Sequence, residues 1–154
     1  MSSNRNKPLR RMVIALLVLL GIQYELGMAV NLSPDLPSLP PFNFSLAQIS
    51  DALHAAGTVA LLHGILGSLL AIISISTLFF SLTSGIKKVQ VFGVLGSLTV
   101  VLAAASGVLF TLSGFQADYF STAMASNFLL SFTFYFLELY YLRAAPKTPG
   151  KMLE

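Results

Sequence analysis

Residues 78–98 read LFFSLTSGIKKVQVFGVLGSL, and this stretch decides how the whole chain is organised. Two long runs without a single Asp, Glu, Lys or Arg, residues 52–82 and 89–112, meet here at a short turn. That turn carries Lys87 and Lys88 side by side. So short a connection makes the two runs antiparallel neighbours. Basic loops resist translocation, so the lysine pair marks the end that stays on the cytoplasmic side of a membrane. Working outward, the same sign recurs at the same level. Arg5, Lys7, Arg10 and Arg11 precede an apolar run at 12–30, and Arg143, Lys147 and Lys151 follow another at 120–142. The two remaining loops hold Asp35, Asp51 and Asp118 and no positive charge. All nine Lys and Arg residues therefore fall on one side of a four-run pattern. The expectation is an all-α integral membrane protein. It is a four-helix bundle, up-down-up-down, forming one transmembrane domain over residues 1–154 with both termini in the cytoplasm.

Composition supports the same class. A mean hydropathy of +0.79 with 10% charged residues departs from soluble domains, in which about a quarter of residues are charged. The formal charge of +3 is dispersed over three segments, so topology accounts for it and nucleic acid is not an expected partner. The N-terminal four positive residues also suit anionic headgroups, at about 1 kcal/mol each. The absence of cysteine excludes disulfides, iron–sulfur clusters, thiolate metal sites and thiol redox chemistry.

The first run spans about 28 Å as a helix, just enough for the hydrocarbon core. Its basic start and its small residues Gly27 and Ala29 also allow a signal-peptide reading. The loop at 31–51 contains Pro34, Pro37, Pro40 and Pro41, which predicts an extended cover over the outer face. Asn31-Leu-Ser33 and Asn43-Phe-Ser45 are glycosylation sequons on that side. In the second run Ala56, Ala60, Gly64 and Ser68 recur every fourth residue, and the third repeats the device with Gly93/Ser97 and Ala103/Gly107. Small-residue stripes let backbones approach closely in lipid, so the second and third spans are expected to form the tightest pair.

Polar side chains inside a bilayer are costly unless paired, which makes them the places to look for chemistry. Gln23, Tyr24 and Glu25 lie about 7–10 Å below the outer end of the first span. The second span has His54 near the outer surface and His63 near the middle; the third adds Ser106 and Thr111, the fourth Met124 and Asn127. All occupy the outer half. Glu138, near the inner end, is the exception, pairing with Arg143 or reaching water. Glu25 has no Lys or Arg at its depth. It would share a proton with a histidine, accept bonds from Gln23, Tyr24 or Asn127, or simply lock the first span to the second.

His54 and His63 are separated by about 900° of helical rotation and about 13.5 Å of rise, so they point to opposite sides and cannot hold the same iron. His63 is the better candidate, because Gly64 and Gly67 clear space for a flat group beside it. Its readings are a haem b ligand, a quinone contact, or an interhelical hydrogen bond. The sixth iron position would be filled by Met28, Met124 or a second copy's histidine, or by nothing. For His54 a solvated or helix-capping role competes with cofactor contact.

Gln23-Tyr24-Glu25-Leu26-Gly27 with Val30, then a proline-bearing loop and a histidine on the second span, resembles the four-helix unit of haem A synthases. The resemblance covers the first half of the chain. It implies a four-helix bundle with a haem site toward the outer face, in which Glu25 and His63, with His54 as a further candidate, are the matching positions. Two functions follow as expectations. In the first, the protein binds a b-type haem or quinone in the outer half, with Gln23 and Glu25 hydrogen-bonding a propionate or quinone oxygen and the proline loop as a lid. In the second, it is a non-catalytic accessory subunit, docked through its small-residue stripes. Either is compatible with homo-oligomers, with a larger complex, and with a cytoplasmic or energy-transducing membrane.

Overall fold

The computed structural model describes residues 6–33 and 36–144. It is all-helical, with five helices and, among the described residues, no strand: α1 (Lys7–Asn31), α2 (Leu46–Ala55), α3 (Thr58–Leu82), α4 (Lys87–Leu112) and α5 (Asp118–Ala144). All except α2 are long and apolar enough to cross a membrane. Arg5, Asp35, Lys147 and Lys151, invoked above for orientation, lie outside the described residues.

Helix α1 starts earlier than expected because Pro8 sits in its first turn, where a missing N–H and a fixed φ cost nothing. Leu9, Val13, Leu16 and Leu20 follow at spacings of four, three and four and form its buried face. The expected continuous second span is divided. Residues 46–55 form a separate helix, capped by Ser45, whose Oγ accepts from the Gln48 amide. It ends at Ala56, and Gly57 then takes φ +95°, a left-handed conformation that glycine adopts without a Cβ penalty. The proline segment is therefore shorter than expected. It lies across the α4–α5 loop: the Leu39 amide donates to the Gly114 carbonyl (3.2 Å), the Phe42 amide to the Leu112 carbonyl (3.1 Å), and Gln116 Nε2 to the Leu39 carbonyl (2.7 Å).

The expectation about the tightest pair is corrected. Helix α4 packs most extensively on α5, not on α3. The glycines explain it. A Cβ at Gly96 would sit 3.1–3.2 Å from three atoms of the Tyr135 ring, and one at Gly107 would sit 3.2 Å from Met124 Sδ. The small residues of α3 serve other neighbours, with Gly64 receiving Leu53 of α2 and Gly67 receiving Gln23 of α1.

Polarity is inverted relative to a water-soluble fold. Val18 is 59% exposed and Ile72 64%, with Ile65, Phe79, Leu98, Leu129 and Phe136 similar, while Ser74, Thr77, Ser81, Ser131 and Glu138 are fully buried. Large exposed apolar surface over a polar interior suits apolar surroundings, because only buried polar groups then find partners.

Candidate functional site

A cavity of about 270 Å³ lies between α1, α3, α4 and α5 near the α4–α5 loop, with Ile49 and Leu53 of α2 completing its wall. Leu20, Leu70 and Val100 line its inner end, and all three are buried. Phe110 and Phe115 lie toward the loop, their rings edge-to-face at 5.6 Å. Phe115 holds φ +63° directly after Gly114 at +68°. A non-glycine residue there is strained, and here the strain accompanies an aromatic ring in the cavity wall.

Two polar side chains dominate this largely apolar lining. Gln23 Nε2 donates to the His63 backbone carbonyl (3.1 Å) and lies 3.3 Å from His63 Nε2. The carbonyl can only accept, so it fixes which end of the Gln23 amide faces His63. His63 Nε2 is then the acceptor of the second amide hydrogen, and the neutral ring carries its own hydrogen on Nδ1. Among the described residues, Nδ1 of His63 and Oε1 of Gln23 are both buried without a partner. The site thus holds one unmatched donor and one unmatched acceptor. Gly27 makes the arrangement possible, since a Cβ there would lie 2.9 Å from His63 Cε1.

Of the residues singled out from sequence, Gln23, Tyr24, Met28, His63, Thr111 and Met124 line this one cavity. Glu25 does not; it is exposed, and among the described residues it has no hydrogen-bond partner. Two residues along a helix is about 200° of rotation, so a carboxylate at Glu25 faces away from whatever Gln23 faces. His54 is also apart. It is exposed in the last turn of α2, with Nδ1 2.8 Å from the Ser50 carbonyl, a local bond that favours the helix-end reading. Ser106, Thr111 and Asn127 bond back to carbonyls of their own helices, and Tyr24 stacks on Phe128 at 5.5 Å.

A second polar cluster at the other end of the cavity's floor was not anticipated. Ser74 Oγ lies 2.9 Å from the Tyr135 hydroxyl, which lies 3.0 Å from Ser97 Oγ; Ser97 in turn donates to the Ser74 carbonyl at 3.0 Å. Two turns along α3, Ser81 meets Glu138. Glu138 is 0% exposed and so does not reach water, and among the described residues its bond is to Ser81 rather than to Arg143. The signal was present as spacing: Ser74, Thr77 and Ser81 on α3, and Ser131, Tyr135 and Glu138 on α5, each fall on one helical face.

Comparison with protein-family models, with curated proteins and with solved structures gave no match to this chain.

Proposed function

We propose that this chain is a four-helix membrane bundle, up-down-up-down with both termini cytoplasmic, whose outer-half cavity binds a quinone at Gln23 and His63. The inverted polarity and the sidedness of the positive residues support the membrane placement. The binding reading rests on one observation: His63 Nδ1 and Gln23 Oε1, buried without a partner among the described residues, belong to side chains that line a largely apolar cavity. A quinone carbonyl accepts from the Nδ1 hydrogen, and a quinol hydroxyl donates to Oε1. Both redox forms of the headgroup thereby find a partner that the protein alone does not supply.

Haem b fits these residues poorly. Iron takes a nitrogen lone pair, yet Nε2 already accepts from Gln23 and Nδ1 carries the hydrogen. About 270 Å³ also falls just below the usual span of small-molecule sites, roughly 300–1,000 Å³, which suits one ring better than a macrocycle. Met124 then serves as apolar wall beside Gly107.

The test is titration of the detergent-purified protein with a short-chain quinone, read by tyrosine fluorescence, with extracted lipids analysed in parallel. His63→Ala and Gln23→Leu are each expected to weaken binding about tenfold, the scale of one lost buried hydrogen bond. His54→Ala and Glu25→Gln are expected to leave it unchanged. Equal affinity in His63→Ala overturns the assignment. A Soret band lost in that variant points to haem, and a ligand-free protein recovered only with other subunits points to an accessory role.

A further inference from the structure

The two parts of the inner polar cluster differ in the number of hydrogens available to them. Ser74, Tyr135 and Ser97 form a closed set, in which three hydroxyl hydrogens serve three acceptors, the last being the Ser74 carbonyl. Ser81 and Glu138 do not balance. Ser81 Oγ lies 2.8 Å from the Thr77 carbonyl and 2.6 Å from Glu138 Oε1. A backbone carbonyl and a carboxylate both only accept, and a serine hydroxyl has one hydrogen. The 2.6 Å contact has the length of a short O–H···O bond, which forms either with the Ser81 hydrogen on a carboxylate or, when that hydrogen goes to the Thr77 carbonyl, with a hydrogen on Glu138. Glu138 Oε2 is buried without a partner among the described residues, and the side chain is fully buried.

We propose that Ser81 and Glu138 form a proton-binding site. The carboxyl holds an exchangeable proton in a bond to Ser81 Oγ and trades it with water at the end of the molecule that carries Lys87, Lys88 and Arg143. Release breaks the carboxyl O–H bond, leaves the electron pair on the Glu138 oxygen and passes the proton to water. Ser81 then turns its single hydrogen from the Thr77 carbonyl to the carboxylate, so the contact between Ser81 Oγ and Glu138 Oε1 is hydrogen-bonded in both states. Arg143 follows five residues later, about 7.5 Å along the helix, so the route to water is short.

Among the described residues, the packing around the site supplies no competing charge. Gly93 of α4 lies against it, where a Cβ would be 3.3 Å from Glu138 Oε1 and 2.5 Å from Ser81 Cβ. This indentation lets side chains of α3 and α5 meet across α4. Of the other α4 residues near it, Lys88 is drawn to the Tyr141 ring at 4.6 Å, Lys87 is exposed, and Gln90 donates to the Leu82 carbonyl. On α1, Lys7, Arg10 and Arg11 are exposed, and Leu9, Val13 and Leu16 face inward. The sole Asp, Glu, Lys, Arg, His or Tyr of α3 is His63, eighteen residues from Ser81. On α5, Tyr135 lies one turn before Glu138 and is held by the closed serine set.

The experiment uses the full chain reconstituted in vesicles and an apolar carbodiimide, dicyclohexylcarbodiimide. A carboxylic acid adds across its C=N bond: the acid hydrogen moves to nitrogen, the carboxyl oxygen bonds to the central carbon, and the adduct carries the mass of both. The expected result is an adduct at Glu138 that declines about tenfold per pH unit on the alkaline side of its titration. It should be absent in Glu138→Gln, a change that preserves side-chain size. Infrared spectra should show a carboxylic-acid C=O band that disappears in Glu138→Gln and shifts in Ser81→Ala. An unlabelled Glu138 at acid pH, in a sample where Glu25 is labelled, overturns the proposal. So does a band unchanged by Glu138→Gln, or one that Ser81→Ala leaves unmoved.

Discussion

At Tyr135 a large ring is fully buried, its face lies on Gly96, and its hydroxyl joins two serines from two other helices. Each feature depends on the others, because a buried hydroxyl without partners costs more than the bond is worth. Tyr135→Phe is expected to destabilise the fold by about 1 kcal/mol, the upper part of the range for hydrogen bonds between membrane helices, as read by unfolding in mixed detergent. Gly96→Ala should cost more, because the ring cannot retreat while Ser74 and Ser97 hold it. Single residues also show how legible the sequence was. Gln23 and His63 were recognisable as polar groups at a common depth, and they do meet. Glu25 shared that depth but not that direction. Depth follows from counting residues to the span's end, whereas facing follows from 100° per residue, and the second count separates Glu25 from Gln23.

Among the helices, α2 was the element least visible in the sequence. Its apolar residues continue into α3 without a proline or a charge run, so hydropathy joins them, and the break rests on the single left-handed residue Gly57. Gly57→Ala is expected to cost about 1–2 kcal/mol through its φ of +95°. Amide exchange should rise in α2 before it rises in α3. Leu53 projects from α2 into the gap left by Gly64 and lines the cavity. Leu53→Ala should therefore loosen ligand binding without disturbing the Tyr135 cluster, which quinone titration and unfolding can read separately. At Gly114 the constraint is steric as well as conformational, since a Cβ there would overlap the Leu39 carbonyl. Gly114→Ala is expected to detach the proline segment from the α4–α5 loop, and limited proteolysis between residues 36 and 45 should accelerate.

Across the whole molecule, two polar sites at different levels are separated by the buried side chains Leu20, Leu70 and Val100. On the two proposals above, the outer site would take a lipid-soluble ligand and the inner one a proton. The native chain has no cysteine, so single-cysteine variants report sidedness directly. An impermeant thiol reagent added outside intact cells is expected to label Asn43→Cys and Asp118→Cys and to spare Lys87→Cys. Labelling of all three to the same extent would remove the orientation on which both proposals' sidedness depends.

The chain's own residues set the helical class, the four membrane-length helices and the side on which its positive charges gather. Those properties are sums over local composition, and no distant contact is needed to read them. Tertiary structure decided what composition leaves degenerate: that α4 rests on α5 through Gly96 and Gly107, that α2 stands apart from α3, and that Glu138 turns inward to Ser81. Small, polar and apolar side chains around a helix can satisfy several neighbours equally well. Only the simultaneous packing of all the helices fixes which neighbour each face meets, and therefore which buried atoms are left without partners.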